Sequence, residues 1–379
     1  MILQNDFKRQ WDEVAEAVLG AVRRVGSSGG YILGSEVESF ERELAEFWGC
    51  SHAIGTGNGL DALEIGLRCL GLQPGEKVLT TPLSAFATTL AILRAGGVPV
   101  FVDVDDFGRI DLHQCREALT KDKSIRFLVP VHLYGFPLPL DELPRLKTDF
   151  DLRIVEDCAQ SIGASFGGAR AGTIGQIAAT SFYPTKNLGA LGDAGALLTN
   201  DSLLADAARS LRNYGQSSHY VHSALGLNSR LDEMHAAILR SAFLPKLKEW
   251  TEARRRTAAR YLEQIKHPSI RLLFPEPAMA PVWHLFPVLA AESDAGRAGL
   301  RDRLGSHLKS CGIMTGVHYP RIISEQTALP KGSWHHAAEP INARRFAHGE
   351  LSLPIHPFLT DSEVDAVITA CNNWKADQP

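Results

Sequence analysis

VLTTPLSAFATTLAILRAGGVPVFVDV, residues 78–104, is the stretch on which the fold turns. Val78–Thr81 and Val98–Val102 are apolar runs of strand length, and the residues between them are patterned as a helix. The same alternation continues outward. Strand-like runs stand at Phe127–Val131, Arg153–Glu156 and Ala178–Tyr183, and a helix carries Leu60, Leu63, Leu67 and Leu70 on one face. Strands alternating with helices imply a largely parallel sheet covered on both faces. An α/β fold is expected.

Upstream, Val14, Val18, Val22 and Val25 recur at helical spacing between Trp11 and Val25. A turn is expected at Gly26–Gly30 and a second helix at about Ser35–Trp48. Beyond Leu239 the texture changes. Residues 246–265 (KLKEWTEARRRTAARYLEQI) read as one long charged helix, with Arg254, Arg255 and Arg256 expected on a solvated face. Pro268, Pro275, Pro277 and Pro281 then mark loops. A strand-like Trp283–Leu289 follows, then a helix near Arg297–Cys311 and a closing helix, Asp361–Trp374, that Thr360 can cap. We therefore expect a large domain over residues 12–245 and a small one over 246–379. The sequence leaves open whether residues 1–11 pack with the second.

The chain has 379 residues, two to three times the usual domain length, which agrees with that division. Lys and Arg total 39 against 43 Asp and Glu, so a net charge of −4 offers no footprint for nucleic acid or an anionic membrane. Apolar stretches such as Ala85–Leu93 fall far short of the ~20 residues a membrane span needs. The opening MILQNDFKRQWDEV meets charges at once and reads against a secretory signal, so a cytoplasmic location is expected. Six cysteines (Cys50, Cys69, Cys115, Cys158, Cys311 and Cys371) form no CxxC pair, which argues against a disulfide framework or a zinc site. His132 and the His335-His336 pair lack an HxxxH or HExxH helix and read as structural rather than metal-binding.

Three constellations carry chemistry. Gly55-Thr56-Gly57-Asn58-Gly59-Leu60 lies between a short strand and the Leu60 helix, where glycines and a helix N-terminus can cup a phosphate. It is neither a dinucleotide fingerprint nor a P-loop, because Leu60 stands where the third glycine would and the Lys-Ser/Thr pair is missing. Taken alone, it is a turn with Asn58 as helix cap. Asp157, in Glu156-Asp157-Cys158-Ala159-Gln160, follows a strand at the end where α/β sheets place ligands, and an aspartate there can hold a cationic ring nitrogen. Alone, it reads as the cap of the next helix. Lys186, in Ser181-Phe182-Tyr183-Pro184-Thr185-Lys186-Asn187, sits in a turn between two apolar strands. Such a lysine can be desolvated and made nucleophilic toward a carbonyl, although most lysines are surface charges. Phosphate cup, ring-nitrogen aspartate and Schiff-base lysine, in that order on an α/β frame, match the needs of pyridoxal 5′-phosphate (PLP).

The blocks GGYILGSEVESFERELAEFWG, PVHLYG, VEDCAQSIGA, SFYPTKNLGALGDAGALLTND, GLNSRLDEMHAAIL, GVHYP and LSLPIHP, in this order, resemble the DegT/DnrJ/EryC1/StrS sugar aminotransferases. These are fold-type-I PLP enzymes. The resemblance implies a mostly parallel seven-stranded sheet between helices in the large domain, with a smaller C-terminal α/β domain. It implies that Lys186 carries the cofactor (as PLP or, between half-reactions, PMP) and moves the proton, and that Asp157 keeps the ring nitrogen protonated. Gln160 would reach the ring hydroxyl and Phe86 would stack on the ring. Gly59, Leu60 and Ser181 would hold the phosphate. Asn228 would reach a phosphate across a homodimer interface, making each active site composite. His318 and Tyr319 are the candidates for gripping the substrate. The chain departs from the family pattern at His235, where a Gln is usual, and at Ser324, where a second His often follows His318-Tyr319-Pro320.

The implied reaction passes an amino group from L-glutamate to a keto-deoxyhexose nucleotide. The blocks around Asn58 and Asn228 look closer to the 3-aminotransferases than to the 4-aminotransferases. Transfer to C4 is the alternative. A PLP-dependent sugar dehydratase is another, but that variant replaces the lysine by histidine. A regulator or scaffold is a third, and such members have lost the lysine that Lys186 supplies here.

Overall fold

The computed structural model describes residues 1–290 and 299–376. Two helices open the chain. Helix α1 (Phe7–Ser28) is capped by the Asp6 carboxylate, which accepts from the Arg9 amide, and it buries Val14, Val18, Ala21 and Val25. The expected turn is shorter than the sequence suggested. The helix runs on through Ser28 and stops at Gly29, whose φ of 69° suits a residue without a β-carbon. Helix α2 (Ser35–Trp48) has the expected bounds and ends on Gly49, also left-handed.

The alternating region then builds the sheet. In chain order it comprises β1 (His52–Thr56), α3 (Gly59–Cys69), β2 (Lys77–Thr80), α4 (Phe86–Arg94), β3 (Val98–Phe101), α5 (Leu112–Lys121), β4 (Phe127–Leu128), α6 (Leu143–Asp149), β5 (Arg153–Asp157), β6 (Ile177–Ser181), β7 (Gly195–Thr199) and α7 (Ser202–Leu211). A short helix α8 (Glu233–Ile238) leads by irregular helical turns into α9 (Leu247–Gln264). The remaining part carries β8 (Ile270–Leu272), β9 (Phe286–Ala290), α10 (Leu300–Ser310), β10 (His335–His336), α11 (Ile341–Gly349), β11 (Glu350–Leu353) and α12 (Asp361–Asn372).

The large sheet has the order β1-β7-β6-β5-β4-β2-β3-β10. Strand β7 pairs antiparallel with both of its neighbours, and all the other pairings are parallel. The seven expected strands are present. The eighth, His335–His336, comes from the C-terminal third and extends the edge beside Val100 and Phe101. Strands β4, β5 and β6 are buried along nearly their whole length, as both-face coverage demands.

A second, antiparallel sheet of order β8-β9-β11 packs against α10 and α11 and shares its core with α9 and α12. Its first expectation needs correcting: the strand starts at Phe286 rather than Trp283, because Trp283 adopts a φ of 48° and breaks the extended run. Arg254 also departs from the expected solvated face. It is buried and donates to the carbonyls of Trp283, His284 and Ile355, while Arg256 faces solvent. Three free carbonyls at a loop crossing offer a guanidinium what water would otherwise supply. Thr360 and Glu363 form a capping box on α12. Of the expected helix near Arg297–Cys311, Arg297 lies outside the described residues. The N-terminus joins this part: Ile2 bridges in parallel to Ile313, and the Arg9 guanidinium holds both oxygens of Glu363.

Candidate active site

The carboxyl ends of the parallel strands converge on one place, which is where such sheets bind ligands. Asp157 ends β5, Ser181 ends β6, and Lys186 follows in the turn before β7. Gly59 and Leu60 open α3, and Phe86 opens α4. Gln160 lies in the loop after β5. The structure thus gathers residues spread over more than a hundred positions of sequence.

Asp157 is buried. Its oxygens accept from the Thr88 hydroxyl (2.8 Å) and the Ala159 amide (3.1 Å). Thr88 is in turn 2.8 Å from the Ser84 hydroxyl. Burial pushes the Asp157 carboxyl above its ordinary value, and the Ala159 amide, Thr88, Lys186 and His132 only partly offset it. Lys186 is half-buried, and its amine is pushed down to about 8 by burial, against the pull of Asp157. The two groups therefore sense each other.

The first turn of α3 has the geometry an anion site needs. A helix leaves its leading amides without intrahelical acceptors, and here the Asn58 side chain takes the Asp61 amide while those of Gly59 and Leu60 keep no acceptor among the described residues. A β-carbon on Gly59 would come within 2.7 Å of the Ser181 Cβ, so only glycine lets this turn sit against the end of β6. The Gly57 amide donates to the Ser229 hydroxyl (3.0 Å), which ties this loop to the segment that contains Asn228. Asn228 itself is exposed and bridges to Asn213. Shortly before it in the chain, Tyr220 and Leu225 are exposed large side chains, Leu225 with 91% of its surface free.

His318 and Tyr319 arrive from the C-terminal part. The Tyr319 hydroxyl accepts from Gln160 Nε2 (3.3 Å), and Gln160 Oε1 accepts from the Tyr134 amide (2.6 Å). The Tyr134 hydroxyl donates to the His318 carbonyl, closing a ring of contacts between the sheet and the 316–320 segment. Lys186 lies close enough to His318 and His284 for its charge to add to burial in lowering both. His284 Nδ1 meets the side-chain Oδ1 of Asn187 (3.1 Å), and Asn187 Nδ2 donates to the Val282 carbonyl (2.9 Å), anchoring the residue beside the lysine.

Sequence reasoning passed over Thr88, Tyr134, Glu350 and Ser352. Tyr134 stands inside the quoted PVHLYG block, and its φ of 60° before Gly135 marks a strained corner that no periodicity reveals. His132, Glu156 and Cys158 cluster within 4.8 Å, a spacing that would suit a metal. Hydrogen bonding already uses the donors. His132 Nδ1 accepts from the Leu138 amide, its Nε2 meets Glu156 at 2.9 Å, and Glu156 also accepts from the Gly172, Ile174 and Gly175 amides.

Similarity to known proteins agrees with this geometry. A dTDP-3-amino-3,4,6-trideoxy-alpha-D-glucose transaminase from Streptomyces venezuelae is 41% identical over 97% of this chain and 95% of its own length. The crystal structure of S. venezuelae DesV in complex with a ketimine intermediate superposes with a TM-score of 0.90 at 40% identity, over 100% of this chain and 99% of that one. The structure of NtdA from Bacillus subtilis, with bound cofactor PMP, has a TM-score of 0.84 at 29% identity, over 95% of this chain and 81% of that one. Residues 12–372 match a single family along their whole length. The chain belongs to the DegT/DnrJ/EryC1/StrS aminotransferase family.

Proposed function

We propose that this chain is a PLP-dependent aminotransferase that moves an amino group from L-glutamate to C3 of a nucleotide-linked keto-deoxyhexose. The observation that carries the reading is Lys186, half-buried and lowered to about 8, within electrostatic reach of the buried Asp157. The residues fit the cofactor: free amides at Gly59 and Leu60 suit its phosphate, a glycine-only turn brings them against the end of β6, and Asp157 keeps acceptor capacity for a ring N–H. When bound, PLP supplies an electron-withdrawing ring that acidifies the carbon next to the nitrogen and carries the amino group between half-reactions. The chain does the rest. Asp157 would hold the proton on the ring nitrogen, and Lys186 would take a proton from the substrate carbon and return it. Phe86, at the start of α4, would cover the ring face, and Gln160 would reach the ring hydroxyl. Ser181 adds its hydroxyl to the phosphate contacts, and His318 and Tyr319 grip the sugar nucleotide.

A homodimer belongs to the same reading. Asn228 and the large side chains of Tyr220 and Leu225 shortly before it are exposed, as residues that reach a neighbouring subunit would be. The division into domains near residue 245 is part of the proposal too. Transfer to C3 draws its support from the 3-amino sugar in the name of the Streptomyces relative.

The test offers L-glutamate with matched 3-keto and 4-keto-6-deoxyhexose nucleotides and locates the new amine by NMR. Nitrogen at C3 is expected. Nitrogen only at C4 would overturn the regiochemistry, and release of ammonia with no amino sugar would favour the dehydratase.

A further inference from the structure

Glu350, Ser352 and His318 form a hydrogen-bonded chain that leads from the antiparallel sheet into the candidate site. Residues 350 and 352 share one face of β11, since strand side chains alternate. Gly316 pairs with Ser352 through two backbone hydrogen bonds, which fixes the 316–319 segment alongside that strand. Glu350 and Ser352 are both buried. Glu350 Oε2 accepts from the His318 amide, and Oε1 accepts from the Ser352 hydroxyl. Ser352 Oγ lies 2.9 Å from His318 Nδ1.

We propose that Glu350, acting through Ser352, is a positioning residue that sets which ring nitrogen of His318 carries a proton and stores one proton taken up at His318. A serine hydroxyl has a single hydrogen, so the chain has two consistent polarities. With Glu350 ionised, His318 Nδ1–H donates to Ser352 Oγ, Ser352 donates to Oε1, and Nε2 is left as an acceptor. With Glu350 protonated, Oε1–H donates to Ser352, Ser352 donates to Nδ1, and Nε2 carries the hydrogen.

Moving between the two balances. Nε2 gains a proton, the Nδ1 proton passes to Ser352 Oγ, and the Ser352 proton passes to Oε1. The ring is neutral before and after. That matters beside Lys186, because burial and the lysine's charge hold His318 down at about 4, so a lone imidazole would not take a proton near neutral pH. Burial pushes Glu350 up to about 8, against the His318 amide, Ser352 and Arg301. Tyr134 and Tyr319 also face Glu350, and His284 faces His318. What the stored proton serves rests on the aminotransferase reading above: the donor's ammonium must lose a proton before its nitrogen can attack, and with Glu350 ionised the chain takes that proton at Nε2 and holds it within the site.

The test reads the ring directly. In protein labelled with ¹⁵N-histidine, long-range ¹H–¹⁵N correlations report the His318 tautomer, and the H318Q spectrum assigns its peaks. We expect the wild-type ring to pass from Nε2–H to Nδ1–H as pH rises through about 8. E350Q should hold Nε2–H throughout the titration, because its amide donates to Ser352 at every pH. S352A should abolish the transition while leaving the carboxyl in place, so the test does not depend on E350Q folding. One tautomer on both sides of that pH in the wild type, or a transition that persists in either variant, would overturn the proposal. The kcat profile with L-glutamate should show the same transition in the wild type and lose it in both variants. A wild type that transfers no amino group would instead overturn the aminotransferase reading, and the tautomer measurement would still judge the relay.

Discussion

Glu156 and Asp157 are neighbours on one strand, both buried carboxylates, and the structure gives them opposite characters. Strand alternation turns them to opposite faces. Burial alone would raise Glu156, but His132 and the loop amides outweigh it and hold its carboxyl below the ordinary value. Asp157 accepts from one amide and one hydroxyl, burial prevails, and its carboxyl is raised. The saturated carboxylate organises the loop at Gly172–Gly175. The undersaturated one keeps acceptor capacity for something the protein does not supply. Burial does not separate the two; unspent hydrogen-bonding capacity does, and it is what singles out Asp157 in the proposed function.

The largest effect should come from the partner of Asp157. Lys186→Ala should lower amino transfer by at least ~10³-fold, since it removes both a nucleophile and the proton carrier. Its melting curve should show no loss of stability, because the amine is held with its charge disfavoured by burial. Near-normal turnover in this variant would remove the functional half of the comparison.

The two carboxylates can then be crossed. Asp157→Asn should cost ~10²- to 10⁴-fold in kcat and leave the fold intact. Glu156→Gln should do the reverse. Its NH₂ group would face amides that now donate to an oxygen, costing about 1–3 kcal/mol of stability, with kcat of the folded fraction within a few-fold of wild type. Paired melting and rate measurements decide. Activity lost at Glu156 and stability lost at Asp157 would invert the assignment.

A pH series on cofactor-free protein sharpens the same contrast. The Lys186 amine is lowered in the fold, so folding disfavours its proton, and the penalty is complete below about 8 and gone above the ordinary lysine value of 10.5. Lys186→Met should therefore be more stable than wild type below about pH 8, with the gap closing as pH rises from there toward 10.5. Denaturant titrations across that window check the sign. A gap that widens with pH would mean that the amine is stabilised as a cation.

Much of this was legible from residue order, and the reason differs by feature. Helix α2 was readable to its ends because its apolar spacing and the following Gly49 act locally. Lys186, Asp157 and Gly59 stood out because ligand sites of α/β sheets follow strand ends, which the alternation locates. The eighth strand was not readable. His335–His336 is two residues long, and its pairing with Val100 and Phe101 depends on the path of the C-terminal third. Arg254 was misread because three consecutive arginines look solvated, and the carbonyls that bury it come from segments about 30 and 100 residues away. Thr88 and Tyr134 escaped for the same cause: both act through hydrogen bonds to residues distant in sequence, which leave no periodic trace.

The smallest effect should come from Thr88, which supplies one of the two hydrogen bonds that Asp157 accepts. Thr88→Val keeps the shape and removes the donor. Thr88 lowers the Asp157 carboxyl, so its loss should raise that carboxyl further and protonate it at a higher pH. The acid limb of the kcat profile should move upward in pH. A hydrogen bond of this kind contributes about 0.5–1.5 kcal/mol, so kcat near that limb should fall ~3- to 10-fold and recover toward the wild-type value on the alkaline side. The Ser84 hydroxyl loses its neighbour as well, but it lies one contact further from the carboxylate, and Ser84→Ala should move the limb less. An acid limb that stays where it was in Thr88→Val would mean that Asp157 is held ionised by Lys186 and the cofactor alone, and that its shortage of partners is incidental.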